Sequence, residues 1–106
     1  MKPIVFLGDS LEVIRDFPIP ARREAGFQLD KVQRGYTPDN FKSLSIVGKG
    51  VQEIRIRDTT GIYRVIYIAK LANAVYVLHA FKKKTQHTPK LDIKLAKDRL
   101  ANIIKR

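Results

Sequence analysis

The 106-residue chain contains no cysteine, which excludes a disulfide framework, a thiolate zinc site and a thiol nucleophile. Its two histidines make a poor metal site unless carboxylates join them, so any chemistry is expected to need no metal or other cofactor. No apolar run approaches the roughly 20 residues that would cross a bilayer. The first such run, Ile4-Val5-Phe6-Leu7, ends at Gly8, too short for a secretion signal, so the expected location is cytoplasmic, with no membrane partner. Repeats, low-complexity tracts and an interdomain linker are also missing, and the length suits one domain spanning residues 1–106. Acidic residues are few: 10 Asp+Glu stand against 21 Lys+Arg, a formal net charge of +11. A hydrophobic fraction of 44%, periodically placed, nevertheless excludes a disordered basic tail.

The positive charge is concentrated in the second half. Residues 1–50 hold 8 Lys+Arg and 6 Asp+Glu, whereas residues 51–106 hold 13 and 4. Such a surface gathers anions, nucleic acid most simply, with acidic proteins or membrane surfaces as the alternatives.

Local patterns give the element order β-α-α-β-β-β-α, an α+β chain. Residues 3–7 form a short apolar strand leading to a helix whose Asp9 and Glu12 have capping-box spacing. Phe17-Pro18-Ile19-Pro20 interrupts it, and Pro20 opens a second helix running towards Gly35 with Ala21, Ala25, Leu29 and Val32 as its apolar stripe. Tyr36 to Gly50 shows no sustained period and is expected to be an ordered loop. VQEIRIRD (51–58) and IYRVIYIA (62–69) flank turn residues and read as a hairpin, and AVYVLHAF (74–81) adds a third strand. Thr88-Pro89 has N-cap and N1 chemistry for a closing helix, whose inner face carries Ile93, Ala96, Leu100, Ile103 and Ile104. Its cations Lys90, Lys94, Lys97, Arg99, Lys105 and Arg106 are expected to solvate the outer face.

Strand alternation sorts the meander into two faces. Ile54, Ile56, Tyr63, Val65 and Tyr67 share one, which Tyr76, Leu78 and Ala80 are expected to join. Glu53, Arg55, Arg57 and Arg64 share the other, with Val75, Val77, His79, Phe81 and Lys83 expected beside them. The second face therefore gathers Arg55, Arg57, Arg64, His79 and Lys83. Guanidinium forks and a lysine so grouped suit a phosphodiester, and RNA supplies its own nucleophile in the 2′-hydroxyl. Arg64, among Tyr63, Val65, Ile66 and Tyr67, must either reach a ligand or pair with a carboxylate such as Glu53 or Asp58. A solvated basic face that binds polyanions without reacting is the plainer reading of the same residues.

The strings GVQEIRIRD, IYRVIY and VYVLHAFKKKTQHTPKLDIKLAKDR, in this order, closely resemble the phage-derived HigB-like branch of the RelE/ParE toxin superfamily. The resemblance implies a helical hairpin packed on a twisted, mainly antiparallel sheet in the RelE manner. It further implies the toxin of a type II toxin–antitoxin pair, a metal-free, ribosome-dependent mRNA endonuclease that blocks translation. The implied partners are an antitoxin of helix-turn-helix type, the ribosome and mRNA, with operator DNA reached only through the antitoxin.

Carried over by position, the central-strand arginine is Arg64 and the basic pair after the last strand is Lys82-Lys83, where RelE relatives have Lys-Arg. Arg55 and Arg57 fall on the first meander strand. Catalytic roles are thereby implied for Arg64 and Lys83, and RNA contacts for Arg55, Arg57, Lys82 and Lys84. RelE proper has a tyrosine beyond the basic pair; here the segment reads Gln86-His87-Thr88-Pro89, and His87 could replace it as proton acceptor. His79, inside the HAF motif, is the second histidine candidate against a packing role. Glu53 stands where RelE has a second lysine. Two other readings stay open: a ParE-like, non-enzymatic gyrase poison, and an inactive basic nucleic-acid-binding remnant.

Overall fold

A computed structural model describes residues 1–104; Lys105 and Arg106 lie outside the described residues. The elements are β1 (Ile4–Phe6), α1 (Ser10–Arg15), α2 (Ile19–Gln33), β2 (Phe41–Ser43), β3 (Val51–Asp58), β4 (Gly61–Ile68), β5 (Val75–Lys82) and α3 (Lys90–Ile104). The five strands form one open sheet in the order β1-β5-β4-β3-β2, with β1 parallel to β5 and every other pair antiparallel. An α+β architecture is thus present, with three helices among the described residues.

β4 is the middle strand of the five and is buried on both faces. Tyr63 to Ile68 are all buried, Arg64 included. On one face α1 and α2 pack Ile14, Ala21, Ala25, Leu29 and Val32 against Ile54, Ile56, Tyr63, Val65 and Tyr67. The small Ala21 and Ala25 let the helix backbone approach the sheet. Pro18, at φ −51°, leads into α2, and Pro20 occupies its first turn, where no helical donor is needed. On the other face α3 brings Ala96 and Leu100 onto Val51, Ile66, Ile68 and Leu78, with Leu44 and Val47 beside them.

Ile104, expected on the inner face of α3, is exposed, and five further expectations need correction. The loop expected from Tyr36 to Gly50 contains β2, whose pairing of Phe41 with Ile54 and Lys42 with Glu53 is set by the neighbouring strand and not by a local period. Asp9 makes no capping hydrogen bond; its carboxylate instead accepts from Arg99 at 3.0 Å. Thr88 does not cap α3 either: the helix starts at Lys90 with the Pro89 carbonyl accepting from Ile93, and the Thr88 hydroxyl donates to Glu53 Oε2 at 2.8 Å. Arg99 is not on the outer face of α3: it is largely buried, donating to the Leu78 carbonyl and lying over Gly8. Gly8 has φ +55°, a backbone conformation that favours glycine, and a Cβ there would fall 2.3 Å from the Arg99 Cζ and displace that side chain.

The last correction concerns β5. Its register against β4 runs from Ile66–His79 directly to Tyr67–Val77, leaving Leu78 as an extra residue in a bulge. A bulge flips the alternation. Ala80 therefore faces α1 and α2 and Phe81 the opposite side, as alternation required, whereas Val75 and Val77 join Ala80, and Tyr76 and Leu78 cross to the α3 side.

Candidate anion-binding site

The cluster begins with the register of three strands. Arg55 of β3 lies directly opposite Arg64 of β4, and Phe81 of β5 opposite Arg64 on its other side. Like charges facing each other across a ladder repel, so this pair persists only with compensation nearby. Glu53, two residues before Arg55 on the same face, supplies it: its Oε1 accepts from Arg64 Nη1, and Lys42 Nζ of β2 is 3.7 Å from the same oxygen. Glu53 is fully buried and Arg64 is 2% exposed. Arg64 thus takes a carboxylate partner, and of Glu53 and Asp58 that partner is Glu53.

The connection from β5 to α3 closes the site. The Lys83 amide donates to the Ile62 carbonyl at 2.7 Å, continuing the β4–β5 ladder one residue past Lys82 and directing the Lys83 side chain to the face of Arg64. The chain then crosses β4 until Thr88 lands on Glu53 of β3. Burial first, then the charges of Arg64, Arg55 and Lys42, hold the Lys83 ammonium below the usual lysine value, while Glu53 acts to raise it. Four cations therefore surround one carboxylate. The Nε groups of Arg55 and Arg64 are buried with no hydrogen-bond partner among the described residues, donors that an incoming anion could satisfy. An open cavity of about 410 Å³ adjoins Lys83, lined also by Gly61, Ile62, Lys84, Thr85 and Gln86.

The other candidate residues divide. Arg57 shares the face but is exposed at the strand end, and Lys84 is exposed on the connection. Lys82 points away from Lys83, its ammonium 5.8 Å from the centre of the Tyr63 ring. His87 is exposed in the connection, where its carbonyl accepts from the Thr85 hydroxyl at 2.7 Å. His79 is buried, with Nε2 2.6 Å from Asp92 Oδ1 and Nδ1 3.1 Å from Arg99 Nη1. Both its nitrogens are occupied in joining β5 to α3, and its ring stacks on Phe81. Lys42 and Thr88 were not singled out as site residues from sequence. Lys42 sits in a strand without local signal, and Thr88 carries an ordinary capping pattern that conceals a long-range contact.

Among the described residues no group of three or more His, Asp or Glu side chains is arranged to hold a metal ion, and no helix is long and apolar enough to cross a membrane. Fold and cluster define a small basic α+β protein with a partly buried group of cations around one carboxylate. Residues 12–101 match the family of phage-derived Gp49-like proteins (DUF891), and the chain belongs to that family, which is RelE/toxin-like. No curated protein matches the chain significantly.

Proposed function

We propose that this chain is the toxin of a type II toxin–antitoxin pair, of the HigB-like branch of the RelE/ParE superfamily. It would act in the cytoplasm as a ribosome-dependent mRNA endonuclease, held inactive by a helix-turn-helix antitoxin. Membership of a RelE/toxin-like family supports the class. The observation that carries the chemistry is the group of Lys42, Arg55, Arg64 and Lys83 around Glu53, with two buried guanidinium donors unpaired.

In this reading a scissile phosphate binds Arg55, Arg64 and Lys83, and Arg57 and Lys84 hold the flanking backbone, with Lys82 on the outer edge. The ribose 2′-oxygen attacks phosphorus while the 5′-oxygen leaves, giving a 2′,3′-cyclic phosphate and a 5′-hydroxyl. The 2′-proton passes to His87, and the leaving 5′-oxygen takes a proton from the Lys83 ammonium. The cations stabilise the charge on the pentacoordinate phosphate, where preorganised donors act most strongly. His79 serves by holding α3 and, through it, the end of the connection.

Primer extension on a translated mRNA, with and without ribosomes, tests the proposal. Cuts that require ribosomes are expected. Intact mRNA together with gyrase cleavage complexes would support the ParE-like reading instead. Binding without cleavage is the second reading with an observation in its favour, namely the burial of Arg64 against Glu53. Intact mRNA and RNA binding alone would support it.

A further inference from the structure

Among the described residues Glu53 is the only carboxylate that acts on Lys83, in a cluster otherwise made of cations. A buried carboxylate is unfavourable unless its oxygens are satisfied, and here they are divided between different elements: Oε1 serves Arg64 of β4 and Lys42 of β2, and Oε2 serves Thr88 of the β5–α3 connection. We propose that Glu53 is a positioning residue of the anion site: one oxygen fixes the Arg64 guanidinium, the other anchors the connection at Thr88, and its charge offsets that of Lys42, Arg55, Arg64 and Lys83. The inference rests on reading the cluster as a phosphodiester site. The groups acting on Lys83 are Arg64 on β4, Arg55 and Glu53 on β3 and Lys42 on β2; Lys84 and His87 follow it on its own segment and are exposed. With Glu53 neutral, the three other cations act on Lys83 unopposed. Its ammonium then loses its proton at lower pH, and a neutral amine neither attracts phosphate nor donates a proton to a leaving oxygen.

The test reads Lys83 directly, in the full chain and without RNA. Its acylation by an amine-selective reagent is followed against pH, resolved by peptide mass spectrometry, with circular dichroism confirming the fold. Glu53→Gln keeps the side-chain shape and is expected to move the Lys83 midpoint to lower pH, with Glu53→Asp restoring it towards wild type. Where Glu53→Gln does not fold alone, Arg64→Gln is compared with the Glu53→Gln/Arg64→Gln double variant, in which the buried pair is neutral on both sides. The double variant is expected to titrate lower. An unmoved midpoint in the folded variants overturns the proposal. For RNA cleavage, the pH–rate profile of Glu53→Gln should be displaced to lower pH; a uniformly lower rate with an unmoved profile also overturns it, since a merely structural carboxylate would give that result. If the wild-type chain cleaves no RNA, the function fails, and the Lys83 titration still decides the role of Glu53.

Discussion

Arg64 combines two demands that a substitution must separate. Removing its side chain leaves Glu53 buried with only Lys42 and Thr88, and breaking a buried pair from one side typically costs about 3–5 kcal/mol. Arg64→Ala should therefore lose stability in urea unfolding by about that amount, and its lost cleavage would say little by itself. Arg64→Lys keeps the charge and removes the fork. It should stay folded and cleave about 100- to 1,000-fold more slowly, the usual loss for one preorganised donor. Wild-type cleavage by that variant would leave Arg64 a structural residue only. The histidines divide in the opposite sense. His87→Ala, at an exposed position, should change stability by less than about 0.5 kcal/mol while lowering single-turnover cleavage by about 100-fold. His79→Ala strips partners from Asp92 and Arg99 and should cost about 1–3 kcal/mol, with the smaller effect on chemistry. Reversed effects would exchange the two assignments. Tyr67 gives a pH signature independent of function, because burial pushes its phenol up to about 12 from an ordinary value of 10.0. The folded state holds the proton longer than the unfolded one, so this contribution to stability is intact below pH 10.0 and is lost as pH rises to about 12. Tyr67→Phe should flatten that alkaline decline in denaturation measured against pH, and an unchanged decline would assign it to other groups.

At the scale of elements, the connection between β5 and α3 is the part most open to test. Its one side-chain bond to the sheet among those resolved is Thr88 to Glu53; the Thr85 hydroxyl bonds only within the segment. Thr88→Val keeps the shape and removes the donor. It should cost about 1–3 kcal/mol for the unsatisfied carboxylate oxygen and speed hydrogen exchange and proteolysis across Lys83 to His87. Unchanged exchange there would mean that the turn holds itself. The same connection shows where sequence reading stops. The strands of the meander were legible to within a residue because turn chemistry and β-branched runs are local. The gathering of Arg55, Arg64 and Lys83 was legible because all three lie clear of the bulge, where strict alternation applies. What failed depends on contacts distant in sequence. One extra residue at Leu78 reversed half of β5, β2 formed only because β3 offered it an edge, and Arg99 turned inward to meet His79 and Asp9. Thr88 and Asp9 both carry ordinary capping patterns, and in each a charged group from elsewhere in the chain takes the side chain.

For the whole molecule the question is whether RNA meets a site or a diffuse field. A net charge of +11 attracts any polyanion, and binding alone cannot distinguish the two. The salt dependence can. Each phosphate neutralised on a single strand contributes about −0.7 to the slope of log K against log salt. If Arg55 and Lys83 each hold a phosphate, the double variant Arg55→Gln/Lys83→Gln should lower the magnitude of that slope by about 1.4. A diffuse field predicts otherwise, because the variant removes two of 21 Lys+Arg and the rest remain to release counterions. A control that neutralises Lys94 and Lys97, exposed on α3, changes net charge equally. It should leave the slope near wild type in fluorescence anisotropy titrations of a short single-stranded RNA across a salt series. Equal effects from the two double variants would remove the cluster as an RNA site. They would also leave Glu53 and Arg64 as a buried pair whose only work is to hold the sheet and the connection together.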